Sequence, residues 1–212
     1  QAPKMAHFSL LTGVAGEGLS KRLGSASIKS YRDEDGLEAM SIISLLARIG
    51  SSDPVMPFTS VEPLIEAFEF SKFSRATAKF DPNDLQILNE KILHVTDYSA
   101  VKERLPEELT EKIWNVARAN IKKLDDVKAW LKIVNGPVSP VIEDRHFIAK
   151  AIGMLPSGQW DNETWNEWTA AVKKETGTKG KKLFMPLRQA ITGLDHGPEM
   201  ASLLPLIGEE RV

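Results

Sequence analysis

A glycine-rich stretch near the amino end carries residues suited to binding phosphate. Three glycines within residues 13–18 precede Ser20, Lys21 and Arg22. A hydroxyl, an ammonium and a guanidinium side by side on a flexible turn can donate hydrogen bonds to phosphate oxygens and balance their charge. The glycine spacing fits neither the P-loop nor the dinucleotide-binding pattern. The stretch therefore predicts a mobile phosphate-binding loop of another kind.

A second basic cluster lies near the carboxyl end. Residues 173–188 contain one acid, Glu175, and six basic residues: Lys173, Lys174, Lys179, Lys181, Lys182 and Arg188. Charge segregated in this way can contact a phosphate backbone even though the net charge of the chain is -2. The alternative is a solvated helix end with surface lysines, which needs no ligand. The run by itself does not decide between them.

Other chemistries find no support in the residue pattern. The chain has no cysteine and four well-separated histidines: His7, His94, His146 and His196. We therefore expect no metal site. No serine lies in a nucleophile elbow, and no complete catalytic set is present. Trp165 and Trp168 share helical spacing with Val172, so we assign them to a core and not to base stacking.

The elements that must position these residues are helices. Apolar residues recur at intervals of three and four, and capping residues, Pro and Gly divide the pattern into segments. The predicted helices are 37–49, 60–68, 81–92, 106–116, 127–134, 144–155 and 161–177, followed by two short helices that start at Pro186 and Pro198. At most a small hairpin is expected near the amino end. The pattern predicts an all-α fold of packed short helices.

Length and composition limit the protein class. With 212 residues, 42% of them hydrophobic, the chain can form one or two domains. It lacks cysteines for a disulfide scaffold and lacks the run of about 20 apolar residues that a membrane span requires. A cytoplasmic protein is therefore expected. Residues 1–4 include neither an initiator Met nor a signal peptide, so we expect a piece of a longer protein.

Two short motifs near the amino end resemble a known family. Residues 3–7 (Pro-Lys-Met-Ala-His) and residues 18–22 (Gly-Leu-Ser-Lys-Arg) resemble the region of the second class I aminoacyl-tRNA synthetase signature, KMSKS. The likeness is to the bacterial glutamyl-tRNA synthetases, in which the signature usually has the form Lys-Leu-Ser-Lys-Arg. Gly18 stands in place of the first lysine, whereas Ser20, Lys21 and Arg22 match.

The resemblance continues over essentially the whole chain. Residues 39–52, including Ala-Arg-Ile-Gly at 47–50, look like the family's stem-contact fold, and residues 80–91 look like its next conserved helix. Near the carboxyl end, Pro186-Leu187-Arg188 and the following Ala-Ile-Thr-Gly look like its anticodon-lobe signature. The resemblance implies residues 1–32 as the end of a catalytic domain, 33–96 as a stem-contact domain and 97–212 as an anticodon-binding domain. The last domain would have two sub-lobes joined near residues 136–140.

The resemblance also implies roles for individual residues. Lys21, with Ser20 and Arg22 beside it, would bind ATP, and Arg188 would contact an anticodon base. Arg118 and Asn120 would lie near the anticodon, and Lys181 and Lys182 would contact tRNA. Asn120 falls where members that discriminate between tRNAs carry an arginine, so both tRNA(Glu) and tRNA(Gln) are candidate partners.

The implied parent enzyme is a glutamate–tRNA ligase that activates glutamate with ATP and Mg²⁺ and transfers it to tRNA. The other class I motif, built on a histidine pair, is missing from all four histidine contexts. We therefore expect this chain to be a monomer that binds tRNA but no cofactor, and to be inactive alone. The alternatives are a stand-alone tRNA-binding helical protein without catalysis, a synthetase-like enzyme that transfers glutamate to a modified base, and a helical interaction scaffold.

Overall fold

The protein is described by a computed structural model that covers residues 2–3, 5–20 and 27–212. It is 54% helical and 3% strand. The predicted all-α class is therefore confirmed.

Short helices follow one another closely along the described chain. The α-helices are α1 (Ile28–Asp33), α2 (Ala39–Arg48), α3 (Glu62–Glu66), α4 (Pro82–Val95), α5 (Tyr98–Val101), α6 (Glu111–Ala117), α7 (Val127–Asn135), α8 (Arg145–Ile152), α9 (Thr164–Thr176), α10 (Lys181–Thr192) and α11 (Met200–Ile207). Single 3₁₀ turns lie at Phe70–Lys72, Lys102–Arg104, Arg118–Asn120, Leu124–Asp126 and Glu209–Arg211. Two strands, β1 (Leu11–Thr12) and β2 (Ala78–Lys79), complete the elements.

Local capping explains where several helices begin. The Asp81 carboxylate accepts a hydrogen bond from the Asn83 N–H, and Pro82 occupies the first position of α4, as the sequence predicts. Asp144 caps α8 in the same way, through the N–H of Phe147. Each side chain satisfies a backbone donor that the helix itself leaves without a partner.

Several predicted helix boundaries are wrong. The helix expected from Pro198 begins at Met200, and the helix expected to reach residue 155 ends at Ile152. The helix expected from Pro106 begins at Glu111, because the Thr110 hydroxyl accepts from the Ile113 N–H and sets the start there. Pro186 does not start a helix but lies inside α10, which begins after Gly180. α3 ends at Glu66, before the predicted end at Phe68. Each prediction placed a boundary at a proline or an apolar residue, whereas other local contacts determine where the helix begins or ends.

The strands near the amino end pair in an unexpected way. β1 and β2 are parallel, with Leu11 opposite Ala78 and Thr12 opposite Lys79. The turn after β1 closes through the Gly13 N–H and the Glu17 carbonyl oxygen, 2.8 Å apart, and corresponds to the predicted small hairpin. The parallel partner was not predicted, since two-residue strands are too short to show an alternating pattern.

The chain divides into two compact units. Unit 1 comprises Gln1–Asp97 with Ile121–Asp125, and unit 2 comprises Tyr98–Asn120 with Asp126–Val212. In unit 1, α2 packs on α4 around a buried core formed by Leu37, Leu45, Leu85, Leu88 and Ile92. In unit 2, α11 packs against α6, α7 and α9, while α10 packs against α8 and α9.

A buried amide connects three segments of unit 1. Asn89 is completely buried in α4. Its Oδ1 accepts a hydrogen bond from the Glu38 N–H at 2.7 Å, just before α2. Its Nδ2 donates to the Lys122 carbonyl oxygen, also at 2.7 Å. One side chain therefore holds the start of α2 and residues 121–125 against α4.

We predict that Asn89→Leu lowers the free energy of unfolding of unit 1 by about 2 to 4 kcal/mol, because the backbone groups of Glu38 and Lys122 lose their hydrogen bonds to the buried amide. Urea unfolding followed by circular dichroism measures the loss. All five tryptophans belong to unit 2, so their fluorescence reports on that unit separately. Asn115→Leu, at an exposed position of α6, is the matched control. Equal unfolding curves for the two variants would contradict the role of Asn89.

Candidate functional site

The helix α10 separates a buried side from a polar one. Leu183 and Leu187 are each 1% exposed and anchor the helix in unit 2. Lys181 and Lys182 lie exposed in its first turn, and Arg188 lies half-buried two turns later. The structure thus places three of the predicted tRNA-binding residues on a single helix.

The protein supplies hydrogen-bond acceptors for only part of the Arg188 guanidinium. Its Nη2 donates a hydrogen bond to the Pro198 carbonyl oxygen at 2.7 Å. Its Nη1 is buried and has no hydrogen-bond partner among the described residues. Burial away from water lowers the pKa of the Arg188 guanidinium from its ordinary value. A buried donor without a partner costs about 1 to 3 kcal/mol, so this arrangement does not maximise stability.

Two glycines allow the loop after α10 to reach Arg188. Gly193 has φ of 72° and ends α10, and a Cβ there would lie 2.5 Å from the Ser139 carbonyl oxygen. Gly197 has φ of 129°, and a Cβ there would lie 2.2 Å from the Trp130 ring. Other residues would therefore be strained and would clash at both positions. The glycines let the loop pass close to its neighbours and bring the Pro198 carbonyl oxygen to Arg188.

Exposed lysines surround the turn between α9 and α10. Gly177 (φ 70°) and Gly180 (φ 61°) reverse the chain there. The five lysines of the basic run lie in the last turn of α9, in the connection and in the first turn of α10: Lys173, Lys174, Lys179, Lys181 and Lys182. Lys181 and Lys182 add charge to the N-terminus of α10, where the helix dipole is already positive. This turn is therefore suited to a polyanion.

The loop beyond α10 places one acid near this basic turn. The pKa of Asp195 is lowered from its ordinary value, chiefly by a hydrogen bond with His196. Burial opposes this shift, and the charge of Lys181 contributes a smaller lowering effect. The Nδ1 of His196 lies 2.7 Å from the Asp195 Oδ1, and both side chains are exposed. The pair of Asp195 and His196 therefore lies in the same loop whose Pro198 carbonyl oxygen accepts the hydrogen bond from Arg188.

The other predicted tRNA-binding residues lie on a different element. Arg118 and Asn120 form the two ends of the 3₁₀ turn that follows α6 and packs against it. Asn120 is exposed and Arg118 is half-buried. α10 packs against α8 and α9 instead. The predicted residues therefore form two groups within unit 2, one on α10 and one after α6.

The predicted phosphate-binding loop falls only partly within the described structure, which includes its glycines and Ser20. Ser20 is half-buried and follows the antiparallel bridge between Thr12 and Gly18. Lys21 and Arg22 lie outside the described residues. Elsewhere in the described chain, no group of three His, Cys, Asp or Glu side chains could hold a metal ion. Among the described residues, none of the helices combines the length and the hydrophobicity of a membrane span.

The tryptophans lie in the core, as predicted. Trp165 is 8% exposed and Trp168 is 2% exposed, and the Trp168 Nε1 donates to the Ala151 carbonyl oxygen at 2.8 Å. Next to them lies Phe184, which the sequence analysis did not single out and which is 45% exposed. The available signal was its spacing, since Phe184 precedes Arg188 by four residues and therefore shares its helix face.

Comparison with known proteins gives consistent matches. The family model described as "Anticodon binding domain" matches residues 94–212. Glutamate–tRNA ligase 1 of Maricaulis maris is 48% identical over 100% of this chain and 48% of the relative. Glutamate–tRNA ligase 2 of Methylorubrum populi is 45% identical over 99% of this chain and 47% of the relative. The chain thus spans about half the length of the curated relatives it matches, corresponding to their C-terminal part.

Solved structures support the fold. The glutamate-tRNA synthetase of Elizabethkingia anophelis matches with a TM-score of 0.69, covering 99% of this chain and 49% of that one. A glutamate tRNA ligase of Elizabethkingia meningosepticum, solved with its amino acid, matches with a TM-score of 0.74 over 99% of this chain and 50% of that one. Both are 21% identical to this chain, so the likeness concerns the fold alone.

We predict that Arg188→Met changes the free energy of unfolding of unit 2 by less than about 1 kcal/mol. The substitution removes the unpaired Nη1 but also the hydrogen bond to Pro198, and these two effects oppose each other. Urea unfolding followed by tryptophan fluorescence measures the change. Leu187→Ala is the positive control and should cost about 2 to 5 kcal/mol. A loss of 3 kcal/mol or more in Arg188→Met would instead identify Arg188 as a structural residue.

Proposed function

Because the chain belongs to the family of the anticodon binding domain, we propose that it is the tRNA-binding part of a glutamate–tRNA ligase and that unit 2 contacts the anticodon. The assignment to a glutamate–tRNA ligase is supported by the relatives of that name, which match 99–100% of the chain at 45–48% identity. The incompletely paired guanidinium of Arg188, on the same helix as two exposed lysines, is the observation that supports RNA binding most directly.

Arg188 is the proposed reader of an anticodon base. RNA is recognised by sequence mainly in unpaired loops, where base edges offer acceptors to protein donors. An acceptor that reaches Nη1 would supply the hydrogen bond that the protein leaves out, while the bond from Nη2 to Pro198 holds the guanidinium in place. Since Nη1 is shielded from water in the free chain, this contact requires a small local movement of the side chains around it.

The lysines are the proposed phosphate contacts. Lys181 and Lys182, with Lys173 and Lys174 across the turn, are exposed and flexible, which suits them to contact the backbone without reading sequence. Contacts of this kind release counterions and therefore strengthen binding at low salt. In this proposal Arg188 provides selectivity, and the lysines provide most of the affinity.

Arg118 and Asn120 are the proposed second group near the anticodon. Asn120 is exposed at the end of its 3₁₀ turn, so it can contact RNA but brings no positive charge. We propose that the chain consequently accepts tRNA(Gln) as well as tRNA(Glu). Its location would be the cytoplasm, where it would act as a monomer.

ATP with Mg²⁺ is the proposed cofactor of the parent ligase. The hydroxyl of Ser20, the ammonium of Lys21 and the guanidinium of Arg22 together form a donor set that fits triphosphate oxygens. Bound ATP would supply the free energy for activating the glutamate carboxyl group. Lys21 would act electrostatically on phosphate charge, with Ser20 and Arg22 beside it, and none of the three would transfer a proton. The chain alone is proposed to be inactive.

Binding to three RNAs tests the proposal. We predict that the chain binds tRNA(Glu) about 1 to 3 kcal/mol more tightly than the same tRNA with another anticodon, the range of a good base contact. Fluorescence titration at one moderate salt concentration measures this difference and also ranks tRNA(Gln). Arg188→Met should remove most of the preference, whereas Arg145→Met, at an exposed position of α8, should keep it. Equal binding of all three RNAs by the unmodified chain would refute anticodon recognition.

The salt dependence of binding tests the lysines. We predict that the double variant Lys181→Ala and Lys182→Ala reduces the slope of log K against log[salt] by about 1.4 to 1.8, because each lost phosphate contact contributes about 0.7 to 0.9. The preference for the correct anticodon should persist. Lys112→Ala with Lys150→Ala, both exposed in unit 2 and outside the basic run of residues 173–188, is the control. An unchanged slope in the first double variant would remove these lysines from the interface.

A further inference from the structure

Phe184 is unusual among the aromatic residues of unit 2. The structure describes every residue of this unit, and Phe184 is the only Phe, Tyr or Trp in it with an exposed side chain, at 45%. The five tryptophans of the same unit are 8% exposed or less. An isolated exposed apolar residue is common on protein surfaces, so exposure alone does not imply a ligand.

The position of Phe184 on α10 connects it to the proposed RNA-binding residues. Lys181 precedes it by three residues and Arg188 follows it by four, spacings that put all three on one face of the helix. Leu183 and Leu187 point into the core and fix the rotation of the helix. A flat apolar ring therefore lies on the helix between an ammonium and a guanidinium group.

Buried aromatic rings support Phe184 from behind. The ring centroids of Phe184 and Trp165 are 6.3 Å apart with planes tilted by 37°. Trp165 in turn contacts Trp168 at 5.6 Å, edge to face, and the Trp168 Nε1 is hydrogen-bonded to the Ala151 carbonyl oxygen. The inner side of the Phe184 ring is thus held by the core while part of its surface stays open to solvent. Such a support limits the entropy that binding would remove.

We propose that Phe184 is a specificity-determining residue whose ring stacks on one unpaired base of the anticodon loop, beside the base edge that Arg188 contacts. Bases that leave their own stack in single-stranded RNA commonly stack on aromatic side chains, and basic neighbours hold the backbone close. The ring would thereby orient the base toward Arg188. This inference rests on the proposed function and extends it by one residue.

The proposal is tested by substitutions of Phe184 that distinguish the effect of a flat aromatic ring from that of an apolar side chain. Phe184→Leu keeps an apolar side chain but removes the aromatic face, whereas Phe184→Trp keeps a flat face. Phe147→Leu, at a half-buried position of α8, is the matched control. The RNA probes are tRNA(Glu) and three versions of it, each with one anticodon base removed to leave an abasic nucleotide. Thermal unfolding of each variant verifies that unit 2 is folded.

We predict that Phe184→Leu weakens binding of tRNA(Glu) about tenfold, which is about 1.4 kcal/mol. Phe184→Trp and Phe147→Leu should bind within about twofold of the unmodified chain. With one particular abasic tRNA, the unmodified chain and Phe184→Leu should bind equally, because the stacking partner has been removed.

Two outcomes would overturn the inference and differ from a failure of the proposed function. Binding by Phe184→Leu at the original affinity would exclude stacking, even if Arg188→Met still loses its anticodon preference. An equal penalty of Phe184→Leu with all three abasic tRNAs would show that the ring has no specific base partner. If the unmodified chain binds none of the RNAs, the proposed function itself fails, and this inference fails with it.

Discussion

The burial of Leu183 and Leu187 determines the rotation of α10, and the proposed RNA-binding face depends on that rotation. Each leucine is 1% exposed, and burying a leucine side chain contributes about 1.5 to 3 kcal/mol. Rotating α10 would expose both leucines to water. The helix therefore keeps Lys181, Phe184 and Arg188 on a different side from its buried leucines. Hydrophobic packing positions the polar groups here, although it provides none of their chemistry.

Arg188 is a half-buried group that the protein pairs incompletely, which lowers the stability of the free chain. A residue selected only for stability would have each buried donor paired, yet Nη1 has no partner among the described residues. The loop that runs from Gly193 to Pro198 satisfies only Nη2. Two glycines, at positions where any other residue would be strained and would clash, bring that loop close. These features are costly in the free chain, and in the proposed function an acceptor on the RNA would supply the hydrogen bond that Nη1 lacks.

Unit 1 is stabilised by a different kind of contact. Asn89 connects α4 to the start of α2 and to residues 121–125 through hydrogen bonds at both ends of its amide, with a leucine and isoleucine core beside it. Both polar ends of the buried amide are paired, in contrast to the guanidinium of Arg188. A fully paired buried group supports a defined local structure, whereas an incompletely paired one is a candidate for ligand contact.

Local sequence patterns were enough to predict four features of this protein. These are the helical class, the capped start of α4 at Asp81 and Pro82, the core position of Trp165 and Trp168, and the segregation of lysines around residues 173–182. Each of these depends on residues within a few positions of one another, because caps, periodicity and charge runs act over one or two helical turns. Other features became visible only in the folded chain: Pro186 lies inside α10, β1 pairs with β2, Pro198 is the partner of Arg188, and Phe184 stays exposed. These features depend on which distant segments meet when the core packs, and a local sequence pattern does not predict such contacts.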